Sequence, residues 1–220
     1  MYYPKFFKRL VSSLIIGGQA INFIFKGKIS KNDLFDQLME TGPGSLLIIL
    51  ITGVAAGTVF NIQIASQLTD LDRGDLIGGL LAVGMAREMA PLLTATLMTG
   101  KVATAYAAQL GTMKVTEQID AITMLKTEPI QYLVVPRILS MVIMSPIQCF
   151  LFLIVGLKSG QIFSYALYGV EPDKFWTSIR LGIVSLNFSD LTSMIIKSVV
   201  FGLIISIIAC GYGLTTKGGP

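Results

Sequence analysis

Arg87 and Glu88 stand side by side in LLAVGMAREMAPLLTATLMTGK, Leu80 to Lys101, a stretch otherwise fit for hydrocarbon. Ionisable groups at membrane depth cost about 2.5–3.5 kcal/mol on insertion scales and tend to face protein or a wet cavity. Pro91 adds a disturbance, because it has no N–H to give the carbonyl of Arg87 four residues back. A kink is expected there, with a carbonyl in need of another donor. A charge pair beside such a kink points to a functional cavity. The plainer alternative is a helix end, with Arg87 snorkelling to the interface and Glu88 bonded to a neighbouring helix for assembly. A further charge, Lys197 in SMIIKSVVFG, can reach the interface or point into the same interior as Glu88. Pairing the two would neutralise both.

Several chemistries are excluded by what the chain lacks. With no histidine, the commonest general base and zinc ligand are missing. Cys149 and Cys210 fall in apolar stretches without CxxC spacing, a poor basis for a metal site, so no metal and no resident cofactor are expected. Neither GxxxxGK[ST] nor GxGxxG occurs, so nucleotide phosphates have no familiar cradle here. An enzyme acting alone is not the expectation. The formal charge of +4 gathers at termini and loops, which suits lipid head groups and topology rather than nucleic acid.

The elements that must hold these charges are membrane helices. The 220 residues are 53% apolar and 14% charged with a mean hydropathy of +0.71, well beyond the ~25% charged content of soluble domains. An all-α polytopic bundle follows, since unpaired backbone groups in lipid leave helices as the open-chain solution. Four spans of about 20 or more mainly apolar residues are expected, 45–67, 76–100, 133–157 and 191–214, in a single domain. Gly53 and Gly57 form GxxxG in the first, which allows close helix approach within one subunit or between two. Residues 1–44 mix apolar clusters with Lys5, Lys8, Arg9, Lys26, Lys28 and Lys31, the pattern of a basic amphipathic segment lying in the interface. Positive charge on alternate sides, with Arg73 after the first span and Lys101, Lys114 and Lys126 after the second, places the N-terminus in the cytoplasm or its equivalent. Lys158, Lys174 and Arg180 run against that pattern.

Between the second and third spans, GTMKVTEQIDAITMLKTEP repeats Val115, Ile119, Ile122 and Leu125 at helical spacing. A short amphipathic helix is expected over about 115–127. It is either a surface helix with a solvated acidic face or a docking helix for a cytoplasmic partner.

The run REMAPLLTATLMTGKVATAYAAQLGTMKVTEQIDAI, Arg87 to Ile122, resembles the signature region of MlaE-type permeases, the membrane subunits of ABC lipid transporters. NFSDLTSMIIKSVVFGLIISIIACGYGL is similar to a later stretch of the same family, and KTEPIQYLVVPR and GYGLTTKGGP resemble its cyanobacterial and plastid branch, which includes a plant trigalactosyldiacylglycerol permease. The resemblance implies a homodimer that binds an ABC ATPase subunit on the cytoplasmic or stromal side and an MCE-domain lipid-binding protein on the other. It implies that Glu88 faces the lipid cavity with Arg87 beside it, that Pro91 and Lys197 border the same path, and that Thr116, Glu117, Gln118 and Asp120 lie in the helix coupling to the ATPase. ATP would then be bound by the partner, and membrane lipid would be the substrate. Family members usually continue into a fifth span, so the ending LTTKGGP suggests truncation. The implied location is a plastid inner envelope or a bacterial or cyanobacterial inner membrane. Two rivals differ in prediction: a non-transporting scaffold makes Glu88→Gln silent, and an ion-coupled carrier makes transport pH-dependent without an ATPase.

Overall fold

The computed structural model describes residues 3–25, 31–181 and 185–216. Lys26, Lys28 and the LTTKGGP tail beyond Thr216 lie outside these described residues, as do the side chains of Lys5, Phe6 and Phe25. Every described element is helical: α1 Tyr3–Phe25, α2 Lys31–Thr41, α3 Pro43–Asp70, α4 Ile77–Gly84, α5 Ala90–Met98, α6 Thr104–Val115, α7 Gln118–Met124, α8 Val135–Tyr168, α9 Pro172–Leu181 and α10 Phe188–Leu214. Three wide π-turns, Met85–Met89, Thr99–Ala103 and Ile130–Val134, are inserted without interrupting the helical path. Four helical runs, Lys31–Asp70, Gly74–Val115, Ile130–Tyr168 and Phe188–Leu214, are long and apolar enough to cross a membrane. The chain is an all-helical integral membrane protein.

Each run outreaches the span expected from apolar residues alone. The second was expected to stop at Gly100, yet KVATAYAAQLGTMKV continues as helix to Val115 because nothing in it breaks the ladder before Glu117, whose φ is +59°. Lys101 therefore lies inside the run instead of in a connection, and its ammonium donates to the Gly44 carbonyl at the start of α3. The interfacial segment expected through residue 44 also differs. Its second part is α2, which leads straight into α3, with the Gly42 N–H bonded to the Leu38 carbonyl at 2.8 Å.

Cα packing divides the chain into two compact units, with every border inside a helix. In the unit formed by residues 1–45, 98–144 and 200–220, α1 lies on α10. A Cβ on Gly17 would come within 2.6 Å of Ile207, and one on Gly211 within 2.2 Å of Ser13, so both contacts demand the missing side chain. Buried hydroxyls knit the rest: the Tyr106 and Ser140 oxygens lie 2.8 Å apart and Thr41 Oγ1 lies 2.5 Å from Tyr106. In the unit formed by residues 46–97 and 145–199, the GxxxG pair packs on α8 of the same chain. A Cβ on Gly57 would sit 2.2 Å from the Gly156 carbonyl oxygen, and Gly53 faces Phe152. That use of the small residues is internal to the subunit. Gly78 meets α9 in the same way, and the Gly79 N–H donates to Ser178 at 3.0 Å.

Candidate functional site

The π-turn Met85–Met89 positions the charges singled out at the start. In it the Ala90 N–H reaches back five residues to the Met85 carbonyl, which widens the helix just ahead of Pro91. Pro91 is buried and offers no N–H to Arg87. The carbonyl so freed is not left bare in apolar surroundings, where it would be costly. Lys197 Nζ, from α10, donates to it at 2.6 Å.

The same ammonium donates to Glu88 Oε1 at 2.8 Å, so one lysine serves a backbone oxygen and a carboxylate together. Arg87 turns to another partner: its Nε donates to Asp190 Oδ1 at 2.6 Å. Asp190 sits in the first turn of α10, where the helix dipole favours a negative charge, and its Oδ2 accepts the Asn187 N–H at 3.2 Å. Asp190 and Lys197 are seven residues, about two turns, apart on one face of α10. Two cations and two carboxylates thus form a network with no net charge.

Depth and exposure distinguish its members. Asp190 is buried, Lys197 is 37% exposed, Arg87 55% and Glu88 75%. At about 1.5 Å per residue, Lys197 lies roughly 14 Å along α10 from Phe188, within the apolar length of the helix. Glu88 therefore presents a mostly open carboxylate at a level where the rest of the run suits hydrocarbon. Arg87, Glu88, Pro91 and Lys197 all meet here. Asp190 escaped sequence reading, although its position two turns before Lys197 was the available signal.

The other group of expected residues is placed differently. The helix expected over about 115–127 is confined to α7, Gln118–Met124, because the chain turns left-handed at both ends, with φ of +59° at Glu117 and +57° at Lys126. Of the four expected residues, Gln118 and Asp120 are on α7, whereas Thr116 and Glu117 form the corner before it. The Glu117 carbonyl accepts the Asp120 and Ala121 N–H groups at 3.1 Å each. Thr116 Oγ1 donates back to Thr112, and Lys114 Nζ pairs with Asp120 at 3.0 Å, tying α7 to the end of α6. Of the expected apolar stripe only Ile119 is buried. Met124 and Leu125 are 86% and 79% exposed, an apolar tip beside a polar corner.

The lysines that ran against the charge pattern are engaged locally. Lys158 Nζ lies 5.4 Å from the centre of the Trp176 ring, and Lys174 pairs with Glu171 at 3.3 Å.

The sequence profile of the family described as Permease MlaE matches residues 34–220. The chain belongs to the MlaE permease family. It is 43% identical over 216 residues to a probable ABC transporter permease protein of Synechocystis sp., covering 97% of this chain and 80% of that one. Protein TRIGALACTOSYLDIACYLGLYCEROL 1, chloroplastic, of Arabidopsis thaliana is 39% identical over 215 residues, with 98% of this chain and 61% of the plant protein covered. The intermembrane phospholipid transport system permease protein MlaE of Haemophilus influenzae is 33% identical over 176 residues, covering 80% and 67% respectively. The matched region of this MlaE permease takes in both the charge network and α7.

Proposed function

We propose that this permease is the membrane subunit of an ABC-type transporter that moves glycerophospholipid between membranes, driven by a separate ATPase. The relatives' names support the class of transporter, and one observation supports the path: a neutral network of Arg87, Glu88, Asp190 and Lys197 whose carboxylate at 88 is three-quarters open at membrane depth. A charge so placed cannot face lipid tails cheaply. Water in a cavity closed by a second copy of the chain satisfies it, and the homodimer supplies that cavity.

The network's chemistry suits a zwitterionic head group. A phosphate can take the donors of Arg87 and Lys197 while an ammonium takes Glu88, exchanging internal ion pairs for pairs with the ligand at no change in net charge. Apolar walls accept the acyl chains. On the cytoplasmic or stromal side, the polar corner at Thr116 and Glu117, with Gln118, Asp120 and the apolar tip at Met124 and Leu125, docks on the ATPase, and an MCE-domain protein receives or delivers lipid on the opposite side. ATP-driven closure of the ATPase pushes α7, and the second spans change spacing across the dimer axis.

The test is purification of the tagged chain with its partners from native membrane, followed by reconstitution and ATP-dependent transfer of labelled phospholipid. Glu88→Gln is expected to cut transfer about tenfold, the scale of one charge-assisted contact, with the ATPase still bound. Glu117→Lys is expected to abolish co-purification of the ATPase. A silent Glu88→Gln in a complex that moves no lipid makes the chain a scaffold, and pH-driven transport without an ATPase makes it a carrier.

A further inference from the structure

A second site of a different electrical character lies in the unit that contains α1. Lys8 and Arg9 of α1, Lys114 in the last turn of α6, and Leu214, Thr215 and Thr216 at the end of α10 line a groove of about 590 Å³. Ser12 completes the lining, and among the described residues no carboxylate contributes to it. Neither Lys8 nor Arg9 has an ion-pair partner among the described residues. Lys114 has one, Asp120, but both are partly exposed and water competes for the pair. The threonine hydroxyls donate to carbonyls of their own helix end, which leaves their lone pairs and the three cations facing the groove.

The neighbourhood selects the ligand. Phe7, Val11 and Leu14 recur at helical spacing along α1 and are 69%, 42% and 63% exposed, with Ile15 at 57%, while Ser13 and Ala20 of the same helix are buried. The helix thus turns one small-residue face to the protein and an apolar stripe outward, next to Lys8 and Arg9. Such a helix lies in the interface with its apolar stripe among acyl chains. Topology agrees: two crossings separate α1 from the end of α6 and two more separate that from the end of α10, so all three linings share one side of the membrane, the lysine-rich one. Basic pockets between membrane helices on that side suit anionic head groups. A soluble anion would use the cations and ignore the stripe.

We propose that this groove binds an anionic glycerolipid, its head group held by Lys8, Arg9 and Lys114 and its chains laid along the outer face of α1. The site is separate from the neutral network at Arg87, shares no residue with it, and differs in preference: a net positive groove selects anionic over zwitterionic lipid. It holds α1 to the bundle through a lipid that need not be transported.

The test uses the delipidated chain in detergent and counts bound short-chain phosphatidylglycerol by native mass spectrometry, with short-chain phosphatidylcholine and inorganic phosphate in parallel. Wild type is expected to prefer phosphatidylglycerol, and Lys8→Gln/Arg9→Gln to weaken it about thirtyfold, in line with the contribution of two cations near an anionic surface. Lys114→Gln, a single change at the edge of a different helix, is expected to weaken it about threefold, and Lys174→Gln, outside the groove, to leave it unchanged. Equal binding of the two lipids, or an unaltered affinity in both groove variants, overturns the site. Phosphate binding as tightly as phosphatidylglycerol overturns the lipid assignment, and loss of self-association or of ATPase binding with lipid binding intact makes the groove a protein contact. None of these readouts requires transport, so the outcome stands apart from that of the proposed function.

Discussion

Two wide turns in this permease each lead into a proline, and they are braced in opposite ways. At Met85–Pro91 the freed Arg87 carbonyl is served from another helix by Lys197, an ammonium shared with an open carboxylate. At Ile130–Pro136 the Val135 N–H again reaches back five residues, but the side-chain brace there comes from the same helix: Arg137 Nη1 donates to the buried Leu133 carbonyl at 2.7 Å, beside the Tyr132 carbonyl that Pro136 leaves without its helical N–H. Arg137 is only 7% exposed, its Nη2 reaches Gln109 at 3.1 Å, and Gln109 in turn donates to Glu40 at 2.8 Å. Its guanidinium also lies 5.7 Å from the centre of the Tyr106 ring. The difference is one of reversibility. A local, buried brace can be released only by unfolding, whereas a half-exposed brace from a neighbouring helix can be displaced by a ligand that offers better partners. Under the proposed function the buried brace is scaffold and the half-exposed one is the brace that opens.

The sharpest way to break this contrast is to remove each brace. Arg137→Ala removes the buried side-chain donor to the Leu133 carbonyl and to Gln109, with the guanidinium packed by Tyr106, and is expected to cost about 3 kcal/mol of stability, the scale for stripping one partner from a buried network. Unfolding of the detergent-solubilised chain by a denaturant series measures it. Lys197→Met is expected to cost less, about 1 kcal/mol by the same measurement, because water reaching the half-exposed brace can take over both the Arg87 carbonyl and the Glu88 carboxylate, yet to cut phospholipid transfer about tenfold. If the lysine proves the more destabilising loss, the assignment of scaffold and working site is reversed.

Much of the first turn was legible in the sequence. Pro91 announces a carbonyl without its helical donor, and Lys197 is a charge that needs a reason to be in an apolar span. What sequence could not show was the width of the turn, since five-residue closure depends on how backbone strain is shared and not on any residue type in MAREM. Asp190 was equally hidden, because its contact with Arg87 spans 103 residues and becomes visible only when α10 is laid beside the second run. The limits of α7 failed for a local reason: apolar spacing continues through Val115 and Leu125, but the left-handed residues Glu117 and Lys126 end the helix on either side of that pattern. The spans themselves were underestimated wherever alanine- and threonine-rich helix, as in KVATAYAAQL, follows the apolar stretch.

Reversing both charges sharpens the comparison further. Lys197→Glu alone sets a second carboxylate against Glu88 and turns an acceptor toward the Arg87 carbonyl, and transfer is expected to fall below that of Lys197→Met. The double reversal Glu88→Lys/Lys197→Glu restores an ion pair but no donor from α10 to the carbonyl. Recovery to within several-fold of wild type, and not beyond, is the expected result in the reconstituted transfer assay. Full recovery would mean that only the ion pair matters, and none would mean that the pair does not.

Pro91→Ala carries the smallest expected effect and isolates the carbonyl. The new N–H lies four residues after Arg87 and can take that oxygen into the helical ladder, which makes Lys197 redundant as a donor while leaving Glu88 for it to pair with. Stability is expected to change by less than about 1 kcal/mol, since a gained backbone hydrogen bond is offset by the loss of the widened turn's fit to its neighbours. The informative quantity is coupling. Lys197→Met should be milder in the Pro91→Ala background than in wild type, by about 0.5–1 kcal/mol in a double-mutant cycle of unfolding free energies. Additive losses would show that the lysine is held by Glu88 alone and that the proline and the lysine were never partners across the two helices.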